Sequence, residues 1–258
     1  MQPFIAFLNL AKVGSSGMEN CNMTKQQKVL IILTSHDQLG NTGRATGFYF
    51  DEMATPYWAL FDAGYTVDIA SVKGGNAPYD IGSYGEKGNR AAPVQRFIDD
   101  VASMAKIKSS LPISAIEVGD YGAIFLPGGH GTMWDFTDEK LAQLVGKAWD
   151  NGSVIGAVCH GPAALVHAKK ADGTPVVSGL KVNSFTDAEE AAVGLTEIVP
   201  FLLETELRKR GAKFENVGNF ESHAVRDGQL VTGQNPRSAK AVAGLMLEAL
   251  AAQKHKAA

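Results

Sequence analysis

Cys159 and His160 stand side by side in GSVIGAVCHGPAAL, residues 152–165, where an apolar run stops and a helix-like pattern begins. A residue on a sharp strand-to-helix bend projects above the edge of a sheet, and small neighbours let the bend form without a clash. Ala157, two before the cysteine, and Gly161, two after it, meet that need. The pattern resembles a G-x-S-x-G nucleophile elbow with cysteine as the nucleophile and alanine for the first glycine. A helix N-terminus aimed at the sulfur favours thiolate. The backbone N–H of His160 is one candidate oxyanion donor, and Gly129 in the PGGHG turn at 127–131 is a second. Gly128 of the same turn is a candidate oxyanion or substrate contact, and His130 a candidate pocket residue.

An imidazole next to a thiol needs an acid to fix its tautomer before it can act as a base. NSFTDAEEAAV, residues 183–193, offers Asp187, Glu189 and Glu190. The same three residues also suit an ordinary acidic first helical turn. Glu52, in ATGFYFDEMATPYWAL (45–60), lies among Phe48, Phe50 and Met53. If it is partly buried, it holds its proton and donates a hydrogen bond; the alternative is an exposed acid beside Asp51.

These residues must be positioned by a scaffold, and the pattern along the chain supplies one. KVLIILTS (28–35), TVDIAS (66–71), the start of YGAIFLPGGHG (121–131), SVIGAV (153–158) and QLVTGQNP (229–236) read as strands. Helical spacing predicts helices over 47–63, with a kink or late start at Pro56, and over 93–111, 137–152 and 238–250. Gly64 and Gly152 close two of these helices, and Thr137 is the expected cap of the third. GPAALVHAKK reads as a helix with Pro162 in its first turn, KVNSFT as a strand edge and EIVPFLLETELRKRG as another helix. Residues 72–90, with five glycines, read as a loop. Strands alternating with helices predict a mostly parallel sheet flanked by helices on both faces, a flavodoxin-like α/β sandwich. Sites in such sheets sit at the carboxyl ends of strands, where both PGGHG and VCHGP fall.

The 258 residues, 45% hydrophobic and 20% charged, suit one α/β domain, expected over 26–252, with an N-terminal extension at 1–25 and a tail at 253–258. A net charge of −3 argues against nucleic acid or an anionic membrane as partner. The basic cluster Arg208, Lys209, Arg210 and Lys213 reads as a solvated helix end. No stretch approaches the length of a membrane span. The two cysteines, Cys21 and Cys159, form no disulfide framework, so a reducing, cytoplasmic compartment is expected.

The combination of TGFYFDE, LPGGHGTMWDF, AVCHGPAAL, SFTDAEE and LVTGQNPRSA, spread over residues 28–250, resembles the class I glutamine amidotransferase-like superfamily. Within it, the match is to the glutathione-independent glyoxalase (glyoxalase III) branch, near the Parkinson-associated protein deglycases and a heat-inducible chaperone group. The resemblance places the nucleophile on Cys159, its partner on His160, the acid on Glu190 with Glu189 as fallback, and the first-helix carboxyl on Glu52. It implies conversion of a small 2-oxoaldehyde, methylglyoxal, to lactate without glutathione, metal or other cofactor, in a homodimer. A stress-induced holdase chaperone, a cysteine redox sensor, and a protein deglycase or protease using the same elbow are the competing readings. Glutaminases of the superfamily carry a His-x-Glu pair; here Glu221 precedes His223 in ESHAV, so His223 is read as a pocket candidate only.

Overall fold

The computed structural model describes residues 28–257; the extension expected at 1–25, with Cys21, lies outside them. In chain order the first half runs β1 (Lys28–Leu33), α1 (Phe50–Asp62), β2 (Thr66–Ser71), α2 (Ile81–Tyr84), α3 (Ala92–Asp99), α4 (Val101–Lys108), β3 (Leu111–Pro112), β4 (Ala123–Leu126), α5 (Thr132–Asp135), α6 (Glu139–Asp150) and β5 (Val154–Val158). The second half runs β6 (Lys181–Val182), α7 (Asp187–Ala192), α8 (Leu203–Lys209), β7 (Lys213–Phe214), β8 (Ala224–Asp227), β9 (Leu230–Gly233) and α9 (Ala239–Ala257). Seven strands form the central sheet in the order β3-β2-β1-β4-β5-β9-β8. All neighbours are parallel except β8, which pairs antiparallel with β9.

The continuous apolar runs follow from burial on both faces. Val29, Ile31 and Leu33 of β1, with Ala123 and Phe125 of β4 and Val154 and Val158 of β5, pack into one core with Met53, Tyr57 and Met246. Leu30 and Ile32, with Ile124 and Leu126 and Ile155 and Ala157, pack into the other with Leu141 and Val145. Helices α1 and α9 therefore cover one face and α6 the other. The carboxyl ends of β4 and β5 open side by side, because Leu126 pairs with Ala157.

The helix expected over 47–63 begins at Phe50 and runs through Pro56 without ending there. Burial of Met53, Ala54, Tyr57 and Leu60 outweighs the one hydrogen bond a proline removes. The helix expected over 93–111 is two, because Asp100 takes an extended conformation and its side chain accepts from Ser103 N–H to start α4. Asp138 rather than Thr137 caps α6, accepting from the N–H groups of Lys140 and Leu141. The short α2 sits within the stretch read as loop. KVNSFT contributes only β6, which pairs with β7 in a separate two-stranded sheet.

The chain departs furthest from the expected helices just after the elbow. GPAALVHAKK forms a five-residue 3-10 helix, Gly161–Leu165, in place of an α-helix. All five residues are buried, so the segment is apolar all round and its pattern carried no helical period. The expected helix-dipole support for a thiolate at Cys159 has no α-helix behind it.

Candidate active site

Strand β5 delivers Cys159 to the sheet edge in a left-handed backbone conformation, φ +59°. A non-glycine residue there costs about 1–3 kcal/mol and persists only where its surroundings hold it. Here the Cys159 N–H donates to Gly233 O at 2.9 Å, and its carbonyl accepts from Phe185 N–H at 2.8 Å. Gly161 completes the bend: a Cβ at that position would lie 2.0 Å from Leu126 O, a backbone atom with little room to move. The Thr132 hydroxyl lies 2.8 Å from Gly129 O and 3.2 Å from His160 O, tying the PGGHG turn to the elbow.

The turn at Cys159 brings two neighbouring side chains together. His160 Nδ1 lies 3.2 Å from Cys159 Sγ, and His160 Nε2 lies 2.7 Å from Glu190 Oε2. His130 Nε2 reaches the other oxygen, Oε1, at 2.9 Å. Burial alone would raise the pKa of Glu190, but the hydrogen bonds from His130 and His160 outweigh it and hold the carboxyl down to about 2. Glu190 is therefore ionised at neutral pH and only accepts. The proton of each neutral imidazole sits on Nε2, leaving Nδ1 as the basic atom. Burial and the neighbouring His130 lower the pKa of His160, against the pull of Glu190. At neutral pH His160 is uncharged and faces the thiol as an acceptor.

The two adjacent glutamates of α7 have separate tasks. Glu189 closes a capping box, its Oε2 accepting from Thr186 N–H at 2.9 Å. Its Oε1 accepts from Phe220 N–H at 2.7 Å and Asn235 Nδ2 at 2.8 Å. Gln234 Nε2 donates to the same oxygen at 3.2 Å. Glu189 thus anchors α7 to the QNP segment after β9, and Glu190, one step round the helix, meets the imidazoles.

Glu52 is fully buried on α1. Its Oε2 accepts from Gly128 N–H at 2.7 Å, and the carboxyl also interacts with the Cys159 thiol. Oε1 has no hydrogen bond of good geometry. Burial pushes Glu52 up to about 8, against the Gly128 N–H. A neutral Glu52 has an O–H to direct at the sulfur. Burial likewise pushes the Cys159 thiol up, and a charged Glu52 would push it further, while the N–H groups of His160 and Gly129 pull it down. With Glu52 protonated, the repulsion is removed, and the Glu52 O–H and the N–H groups of His160 and Gly129 all favour the thiolate. Gly128 is not among them, because its N–H is committed to Glu52. A Cβ there would lie 2.6 Å from His160 N and 2.8 Å from Glu52 Oε2.

A cavity of about 390 Å³ opens above Cys159. Gly129, His130 and His160 line it together with apolar Phe185, Leu195 and Phe220 and polar Arg44, Tyr49 and Asp80. A larger depression between Ile113 and Lys147 is lined by neither cysteine nor histidine. His223 is not brought to the cavity. It precedes β8, with its N–H on Ser238 Oγ and its carbonyl accepting from Asn183 and Gln234.

Among the described residues, His130, His160 and Glu190 are the group whose donor atoms, within 4.8 Å of one another, could hold a metal ion. Their N···O separations of 2.7 and 2.9 Å suit shared protons. Tetrahedral zinc with ligand distances of about 2.0–2.1 Å sets ligand atoms about 3.3 Å apart.

The QNP segment, Thr132 and the pairing of His130 with Glu190 went unassigned in the sequence, although His130 was a pocket candidate. The signal available for each was its place after a strand: PGGHGT after β4 and TGQNP at the end of β9.

The family model described as DJ-1/PfpI family matches residues 45–249. The chain is 32% identical over 235 residues to a glutathione-independent glyoxalase of Saccharomyces cerevisiae, an alignment covering 87% of this chain and 98% of the relative. It is 30% identical over 228 residues to glyoxalase 3 of Candida albicans, covering 82% and 93%. The solved structure of glyoxalase III from Candida albicans matches with a TM-score of 0.80 at 29% identity, covering 88% of this chain and 98% of that one. Rapid Encystment Protein 24 kDa of Francisella tularensis matches with a TM-score of 0.83 at 35% identity, covering 87% and 99%.

Proposed function

The chain belongs to the DJ-1/PfpI family, and from that premise we propose that it is a glutathione-independent glyoxalase converting methylglyoxal or a similar 2-oxoaldehyde to the 2-hydroxy acid. The relatives named glyoxalase 3 and glutathione-independent glyoxalase support the reaction class. The observation that carries the mechanism is the hydrogen-bonded line from Cys159 Sγ through His160 to Glu190, at 3.2 and 2.7 Å.

His160 Nδ1 takes the thiol proton, and the sulfur adds to the aldehyde carbon C1. The new oxyanion O1 forms near the N–H groups of Gly129 and His160, then takes the proton back from His160 to give a hemithioacetal. Isomerisation moves the C1 hydrogen to C2 and the O1 proton to O2, through an enediol. The product is a Cys159 thioester, which water cleaves to lactate and free thiol. C1 is oxidised and C2 reduced within one molecule, so the electrons balance with no external oxidant or reductant. A metal, glutathione or other cofactor is not needed for that balance.

Glu52 supports the sulfur as a neutral donor; its burial and protonation make it unsuitable as the carbon base. The free thiol suits a reducing, cytoplasmic compartment. A homodimer is part of the same proposal, implied by the family resemblance and checked by sedimentation. No helix among the described residues is long and apolar enough to cross a membrane.

The covalent step is tested by acid-quenching the protein during turnover and mapping its peptides. One methylglyoxal mass is expected on the peptide carrying Cys159, released as lactohydroxamate by hydroxylamine. Adducts on lysine and arginine alone, with Cys159 unmodified, would sink the covalent mechanism.

A further inference from the structure

The isomerisation needs a base that can reach carbon, and the cavity holds few groups able to serve. Glu52 is buried, with one oxygen on Gly128. Tyr49 is kept protonated by burial, with the nearby acidic groups acting in the same direction. Asp80 Oδ1 accepts the Gly82 N–H at the start of α2. His160 Nδ1 is engaged with the sulfur at 3.2 Å, and only 1% of its side chain is exposed.

His130 differs on each count. Its Nε2–H is spent on Glu190 Oε1, so Nδ1 is the basic atom, and Nδ1 has no hydrogen-bond partner among the described residues. Its side chain is 20% exposed, and it lines the cavity beside Cys159. Its ring lies 4.2 Å from that of His160, tilted by 44°. Two imidazoles thus border one small space, bridged from behind by one carboxylate.

We propose that His130 is a second catalytic histidine, the base that carries the substrate's carbon-bound proton from C1 to C2, while His160 handles the thiol and oxygen protons. The inference rests on the glyoxalase reading above. In the hemithioacetal, His130 Nδ1 removes the C1 hydrogen. The C–H electron pair becomes the C1=C2 bond and the carbonyl pair moves to O2. His160 Nδ1 takes the O1 proton and returns it to O2. Imidazolium His130 then delivers its Nδ1 proton to C2, and the C1=O1 bond of the thioester forms. Every proton is conserved and both histidines end neutral. Glu190 holds both rings with Nδ1 facing forward and stabilises whichever is charged.

The test is His130→Gln, whose amide keeps a donor for Glu190 but has no base. Three quantities are compared: lactate turnover, the rate of Cys159 alkylation by iodoacetamide, and deuterium at C2 of lactate made by the unaltered protein in D2O. Turnover of H130Q is expected to fall about 10²–10⁴-fold while alkylation stays within about threefold of the parent rate. Deuterium is expected at C2, because the base is open to the cavity. Turnover within about threefold of the parent would overturn the proposal. So would alkylation falling in step with turnover, which would make His130 a support for Glu190 only. Complete retention of the substrate hydrogen at C2 would mean a hydride shift and would overturn it without recourse to the variant. If the unaltered protein makes no lactate, the glyoxalase reading itself fails; if it does and H130Q matches it, only the role of His130 fails.

Discussion

The thiol at residue 159 sits in an environment that raises its pKa by burial and compensates with donors. His160 is the group that makes it reactive, and His160 acts only while neutral. Its pKa is held below the ordinary imidazole value by burial and by His130. Lowering that value extends the active form toward acid, so the acid limb of kcat/KM for methylglyoxal is expected below pH 6.5. Glu190→Gln should remove the anion that fixes the tautomer and cost about 10²–10⁴ in kcat. An acid limb centred above 6.5, or full activity in E190Q, would contradict this arrangement. Cys159 and His160 were legible in the sequence because they are contiguous and flanked by small residues. Glu190 was harder to separate from Glu189, since adjacent positions on a helix differ only in direction. That direction is set by Phe220, Gln234 and Asn235, which lie 31 to 46 positions beyond Glu189 in the chain. The protonation of Glu52 is not legible from its neighbours in the sequence, because it depends on how completely α1 is covered in the fold.

At the scale of the element, β5 and its elbow carry the strain. The left-handed conformation at Cys159 is imposed by Gly233, Phe185 and the close packing of Gly161 on Leu126, independently of the sulfur. Among inactive variants, Cys159→Gly should therefore be more stable than Cys159→Ala, because glycine enters this region without a Cβ penalty. The difference should be about 1 kcal/mol, or about 2–4 °C in Tm for a chain of this size, read by thermal denaturation. An alanine variant of equal or greater stability would mean the strain is not there. The elbow was legible from its small residues, whereas the segment after it was not. A buried 3-10 helix and a surface α-helix differ in which sides are covered, and Gly161–Leu165 is covered on all sides.

For the whole molecule, the βα alternation disclosed the parallel sheet, while β7, two residues long, and β8, with one buried residue, did not stand out. Linkage to pH is a property of the folded whole. Glu52 is raised from 4.5 to about 8, so the folded state binds its proton more tightly than the unfolded chain. The resulting stability is fully present below pH 4.5 and is lost as pH rises through about 8. Glu190, lowered to about 2, acts in the opposite sense: its contribution is present above 4.5 and lost as pH falls through about 2. The two windows do not overlap. Glu52→Gln, which copies the protonated carboxyl, should gain stability relative to the parent between pH 5 and 8, by at most about 1.4 kcal/mol per pH unit. Urea denaturation at several pH values checks this, and a difference that stays constant with pH would refute the buried, protonated Glu52. The assembled site is tested most directly by incubating the purified protein with methylglyoxal, without glutathione and with a chelator present, and measuring lactate beside Cys159→Ala. Steady lactate formation that disappears in the alanine variant is the expected result. Lactate at the parent rate in Cys159→Ala, or none from the parent, would contradict it.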